Sequence, residues 1–159
     1  MSDDARETPD NPGVIAPPPL IYASALAIGL LANRLYPIAF VPRGLSRVLG
    51  WPLIVGGPVV GSLGLREMKR ADTNVDPREP TTAIVTGGPY RFTRNPLYLS
   101  MTLIYAGITA LANALPAALL LPFVLHIMRR GVIEREERHL ERKFGDEYLD
   151  YKARVRRWI

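Results

Sequence analysis

Cysteine is absent from this chain of 159 residues. That excludes a disulfide framework, a thiolate metal site and a cysteine nucleophile, and leaves the compartment open. Charge is missing from three long stretches. Asn11 to Asn33, Val48 to Leu65 and Leu97 to Met128 contain no Asp, Glu, Lys or Arg. A basic opening is missing too, since Met1 to Gly13 sets Asp3, Asp4, Glu7 and Asp10 against Arg6 alone. No secretory signal is therefore read there, and the segment through Pro17 is expected to be a disordered tail. The net charge of +5 comes without a basic stripe interleaved with aromatics or any nucleic-acid motif, so nucleic acid is not an expected partner.

Apolar residues make up 48% of the chain, but they are gathered into blocks and do not alternate with polar ones as a water-exposed domain requires. Leu20 to Asn33, continued by Leu35 to Val41 beyond Arg34, supports a first transmembrane helix of about 20 residues, the length a bilayer core demands. Val48 to Leu65 carries Gly50, Gly56, Gly57, Gly61 and Gly64. That is too much glycine for a stable helix in water, whereas in a membrane small residues let helices approach closely. Leu97 to Met128 is too long for one span, and Asn113 and Pro116 near its middle break a helix there. A hairpin of two short helices is expected, entering after Pro96 and leaving near His126.

The chain therefore reads as an all-α integral membrane protein with about four transmembrane helices and a C-terminal cytosolic amphipathic helical region. A fifth segment, around Leu35 to Leu49 in the interface, is the alternative. Its organisation is a tail (1–17), two N-terminal transmembrane helices (18–66) and a core (67–159) that contains the hairpin 97–128. Six Lys and Arg fall between Arg66 and Arg94, ten follow Met128, and Arg34, Arg43 and Arg47 lie toward the other face. The positive-inside bias places both termini in the cytoplasm.

Two clusters carry the chemistry. Gly87-Gly88-Pro89 forces a turn, and Tyr90, Arg91, Arg94, Asn95, Pro96 and Tyr98 cluster just before the hairpin. Pro96 disfavours helix at Asn95 and can itself begin one. The unpaired N–H groups of that helix start suit a carboxylate or phosphate, and Arg91 and Arg94 can fork onto the same anion. Beyond the hairpin, Ile133, Glu136, Glu137, Leu140 and Phe144 share one helical face. Two adjacent carboxylates thus lie on the stripe that Leu140 and Phe144 need to bury. A surface helix laced by pairs such as Glu134 with Arg138 is the plainer reading. Carboxylates near a membrane boundary, however, are costly unless partnered, which marks Glu136 and Glu137 as functional candidates. Gly145 ends this helix at its C′ position. Arg154, Arg156, Arg157 and Trp158 read as interfacial anchors.

These pieces together resemble the membrane methyltransferase superfamily, which holds isoprenylcysteine carboxyl methyltransferases and phospholipid N-methyltransferases. The family pattern runs Arg-His-Pro-x-Tyr, a hydrophobic stretch, Glu-Glu, then Phe-Gly-x-x-Tyr. It is matched here by Arg94, Pro96 and Tyr98, by Glu136 and Glu137, and by Phe144, Gly145 and Tyr148. The likeness covers roughly Thr73 to Ile159. Asn95 stands at the family's histidine. Asparagine can hydrogen-bond a ligand but exchanges no proton near neutral pH.

The resemblance implies transfer of a methyl group from S-adenosyl-L-methionine to a lipophilic acceptor, carboxylate or amine, at the cytosolic membrane face. Tyr90, Arg94, Asn95, Pro96 and Tyr98 would cradle the cofactor. Glu136 and Glu137 would hold its cationic portion or ribose, or orient a substrate amine. Arg91 would help close the pocket and bind an acidic substrate, which makes Arg91, Glu136 and Glu137 the catalytic candidates. No metal is expected. The implied partners are membrane lipids and the methyl acceptor, with no obligate protein partner. A sterol-reductase-type enzyme using NADPH and a non-catalytic protein binding anionic lipids are the competing readings.

Overall fold

The computed structural model describes residues 11–76 and 79–159, and among them every regular element is a helix, with no strand. The order is α1 (Pro18–Leu35), α2 (Arg43–Arg70), a 3-10 turn (Gly88–Arg91), α3 (Pro96–Ala112), α4 (Leu115–Met128), a π turn (Arg129–Ile133), α5 (Glu134–Phe144) and α6 (Asp146–Arg154). Among the described residues, two helical stretches are long and apolar enough to cross a membrane, Arg43–Arg70 and Leu115–Phe144. In the second, the charge-free part ends at Met128, and the carboxylate-bearing α5 continues the same rod beyond it.

α1 ends at Leu35 and does not run on to Val41. Tyr36–Pro42 forms a connector, tied down where Asn113 accepts the Phe40 and Val41 N–H groups at 3.1 and 3.2 Å. The segment near Leu35–Leu49 is thus no separate element, because its second half already belongs to α2. The break inside the apolar stretch falls where Asn113 and Pro116 put it. Asn113 takes the left-handed conformation (φ 47°) and caps α3, and Pro116 sits in the first turn of α4. Asparagine tolerates that region because its short side chain can bond locally.

α4 ends at Met128, two residues past the expected exit near His126. The winding continues without interruption through the π turn into α5, so the hairpin's second arm and the acidic helix are one rod. The described part of the expected disordered tail is held against the fold. Residues 1–10 lie outside the described residues, but Ile15 N–H donates to the Gly131 carbonyl at 3.2 Å and Arg135 Nη1 donates to the Gly13 carbonyl at 2.7 Å.

α2 lies along α3, and α1 lies along α4. Glycine makes the first contact possible: a Cβ at Gly57 would lie 2.7 Å from Ile104 Cγ1 and 3.0 Å from the Ser100 carbonyl oxygen. Ser100 Oγ uses that closeness, donating to the Gly57 carbonyl at 2.7 Å. The other pair is held by tyrosines. Tyr105 Oη donates to the Ala117 carbonyl at 2.9 Å, Tyr22 and Thr102 hydroxyls meet at 2.8 Å, and the Tyr22 and Tyr105 rings pack edge to face. Tyr98, Val124, Met128, Val132 and Ile133 complete the core. Leu31, Trp51, Val55, Leu119 and Phe123 remain exposed on the outside of the four-helix body, an apolar girdle suited to lipid.

Candidate functional site

Three parts of the chain converge beside the starts of α3 and α5. Pro96 opens α3 and sets the turn before it. The π turn adds a residue to the rod and so re-aims α5 beyond it. Gly145, with φ 54°, permits the sharp reversal that brings α6 back against both. Between them lies a cavity of ≈ 140 Å³.

Of the expected site residues, Tyr90, Arg94, Asn95, Pro96, Tyr98, Glu136 and Glu137 all line this cavity. Arg91 does not. It is exposed, on the 3-10 turn outside the lining.

The two carboxylates have different partners. Glu137 is buried (5% exposed) and receives a fork from Arg157, with Nε to Oε1 at 2.8 Å and Nη2 to Oε2 at 2.7 Å. Arg94 Nη1 lies 3.2 Å from the same Oε1. Both oxygens of Glu137 are thereby occupied by fixed cations. Glu136 is half-buried and accepts a hydrogen bond from the Tyr98 hydroxyl at 2.5 Å. Withdrawal from water pushes its carboxyl up to about 7, with the Tyr98 bond opposing that rise and the neighbouring Glu137 adding to it. The pairing of Glu134 with Arg138 is replaced by contacts to Arg129 at 3.0 Å and Arg130 at 3.5 Å, because the π turn brings those residues alongside.

Asn95 Nδ2 donates to the Arg157 carbonyl at 2.9 Å, and Thr93 Oγ1 donates to the same oxygen at 3.1 Å. The backbone of Arg94 donates to the Arg156 carbonyl at 2.9 Å. The residue at the family's histidine position therefore spends its side-chain donor on the C-terminal tail. Tyr151 Oη donates to the Tyr90 carbonyl at 2.8 Å, and burial raises the Tyr148 hydroxyl to about 12, keeping it a neutral donor.

Sequence reasoning missed one whole wall. The segment from Thr73 to Val85 contributes Asn74, Asp76, Ile84 and Val85 among others. Its ends are tied by Thr82, which donates its N–H to Thr73 Oγ1 at 3.1 Å and its hydroxyl to the Asp72 carbonyl at 2.7 Å. No periodicity or motif in that stretch announces it. His139 was also missed; it is buried, lines the cavity, and lies three residues after Glu136, so the helical repeat would have found it.

The arrangement can bind a cation through Glu136, an anion through Arg94 (whose Nε is buried without a hydrogen-bond partner among the described residues), and an apolar ring against Ile84, Val85, Leu97 and Leu140.

The chain is 45% identical over 64 residues to an uncharacterized protein of Haemophilus influenzae, a match covering 40% of this chain and all of that one. No solved structure matches. The phospholipid methyltransferase family matches residues 45–147, from the first turn of α2 to the start of α6, and so includes the turn, the hairpin and both carboxylates. With most of its length and its whole acid-bearing rod inside that match, the chain belongs to the phospholipid methyltransferase family.

Proposed function

We propose that this protein is an integral-membrane methyltransferase that uses S-adenosyl-L-methionine to methylate a lipophilic acceptor, carboxylate or amine, at the cytosolic membrane face. The observation that carries the reading is one cavity holding a half-buried carboxylate, Glu136, and a guanidinium, Arg94, with four tyrosines around them. S-adenosylmethionine carries a sulfonium, an ammonium, a carboxylate and an adenine ring, and the lining fits each. Glu136 answers the cationic part. Arg94, with a buried Nε to spend, answers the carboxylate. The phenols of Tyr90, Tyr98 and Tyr148 supply hydroxyls, and Ile84, Val85 and Leu140 supply an apolar bed.

When bound, the cofactor supplies an electrophilic methyl group on sulfur. What the chain's own residues contribute is alignment and exclusion of water. In-line displacement chiefly requires that nucleophile, methyl and leaving atom be held in register. The Tyr98–Glu136 bond fixes one wall, and the Arg94–Glu137–Arg157 cluster fixes another. Asn74, Asp76, Ile84 and Val85 line a third. Arg91, exposed on the 3-10 turn, is left as a surface cation for an acidic acceptor.

In this reading α1 to α4 are four spans, and the girdle of Leu31, Trp51, Leu119 and Phe123 faces lipid. The basic loop after α2 and the C-terminal helices lie with both termini on the cytoplasmic side. A lipophilic acceptor then reaches the cavity from the bilayer.

Isothermal titration of detergent-purified protein with S-adenosylmethionine and, separately, NADPH tests the reading. Binding of the first alone is expected; binding of NADPH alone, or of neither, overturns it. Incubating membranes with methyl-labelled cofactor then separates base-labile esters from labelled headgroups, and so a carboxylate acceptor from an amine.

A further inference from the structure

The C-terminal tail is the least membrane-like use of arginine in the chain. An interfacial anchor turns its cation toward headgroups, yet the Arg157 side chain is only 25% exposed and forks onto a buried carboxylate. Its own carbonyl accepts from both Thr93 and Asn95, and the carbonyl before it accepts from Arg94 N–H. Two tail residues thus grip three consecutive residues of the turn before α3 and two carboxylates of α5, Glu137 by the fork and Glu134 at 3.8 Å. The Arg94–Glu137 pair and the Tyr98–Glu136 bond link the same two walls through side chains, and the tail adds backbone ties to them.

We propose that Arg157 is a positioning residue for the cavity: by saturating Glu137 and tying the Thr93-Arg94-Asn95 turn to α5, it leaves Glu136 as the carboxylate presented to the ligand and keeps Arg94 beside it. The inference rests on the reading of the cavity as the methyl-donor site. The fork is the reason an arginine is needed. A guanidinium gives two parallel donors to one carboxylate, whereas a lysine offers a point charge on a flexible stem. The same geometry gives Asn95 its place. An amide N–H₂ at that position latches the tail, and a carboxylate there would face a carbonyl oxygen instead.

The test uses the full chain in detergent, with Arg157→Lys, Arg157→Ala and Asn95→Asp compared with the wild type. S-adenosylmethionine affinity is read by titration, KM and kcat by methyl transfer to membrane lipid, and folding by thermal unfolding. Arg157→Ala is expected to weaken cofactor binding at least tenfold, with Arg157→Lys recovering part of the loss and Asn95→Asp falling between. KM for the cofactor should rise by more than kcat falls, and the unfolding midpoint should fall by less than in Glu137→Ala, because Arg94 stays on the Glu137 carboxylate. A fall in kcat and stability with cofactor affinity within twofold of wild type overturns the proposal. Should Arg157→Ala fail to fold, unchanged affinity in both Arg157→Lys and Asn95→Asp overturns it equally. A wild-type chain that binds no S-adenosylmethionine instead overturns the methyl-donor reading, and this proposal with it.

Discussion

The Tyr98 hydroxyl and the Glu136 carboxylate meet at 2.5 Å across 38 residues of sequence, joining the first turn of α3 to the first turn of α5. Glu137, one residue on, is turned to Arg94 and Arg157. The adjacent acids therefore divide the work, one committed to fixed cations and the other facing the cavity.

Replacing Glu136 by Gln removes the negative charge while nearly preserving shape. Cofactor affinity is expected to fall by tenfold or more, since a charge-assisted contact is worth about 1.5–3 kcal/mol. Tyr98→Phe, which removes only the hydroxyl, should cost less, on the order of 1 kcal/mol. Titration calorimetry on both variants reads the two values, and equal affinities in Glu136→Gln and wild type would remove Glu136 from the site.

The Glu136 carboxyl, raised to about 7, makes the protein pH-sensitive in a defined direction. A carboxyl whose pKa is higher folded than unfolded stabilises the fold below its unfolded value. That contribution is lost as pH climbs through the folded value. The stability of the ligand-free protein relative to Glu136→Gln should therefore decline from about pH 4.5 to about 7 and then level. Binding of a cationic donor should run the other way, strengthening as pH rises through about 7, with the slope absent in Glu136→Gln.

Glu137 is expected to behave as a structural ion. Glu137→Ala leaves Arg94, itself only 9% exposed in its side chain, beside Arg157 with no carboxylate between them. Stripping one partner from a buried ion pair costs about 3–5 kcal/mol. Thermal unfolding should thus register Glu137→Ala far more strongly than Glu136→Gln.

Neighbouring glycines in α2 should respond with opposite signs. A Cβ at Gly56 meets nothing within 4 Å, whereas one at Gly57 would press on Ile104 and the Ser100 backbone. Gly56→Ala should gain up to about 1 kcal/mol in helix propensity. Gly57→Ala should lower the unfolding midpoint by forcing α2 and α3 apart.

Much of this is legible in the sequence. The uncharged blocks locate the apolar helices, the glycine stripe foretells close packing of α2, and Asn113 with Pro116 marks the hairpin break. Motif and helical face single out Tyr90, Arg94, Asn95, Pro96, Tyr98, Glu136 and Glu137, and all reach the cavity. What stays hidden depends on long-range geometry. Arg157 reads as an anchor because a flanking arginine beside a tryptophan has the composition of one; only the fold shows that Gly145 returns the tail to Glu137. The 73–85 wall carries no periodic pattern at all. Arg91, three residues from Arg94, pairs with it by proximity in sequence, although the 3-10 turn directs the two apart.

The π turn at Arg129–Ile133 gives this architecture an unusual intolerance. One surplus residue in the winding sets the angular phase of everything downstream, and Gly131 within it is packed against Ile15. Rewinding the same residues as a plain α-helix, with none removed, would swivel α5 by about 100°, one residue's share of a 3.6-residue turn. The acids would then point elsewhere with no side chain altered. Along this stretch, the way the backbone winds outweighs nearly any change of identity.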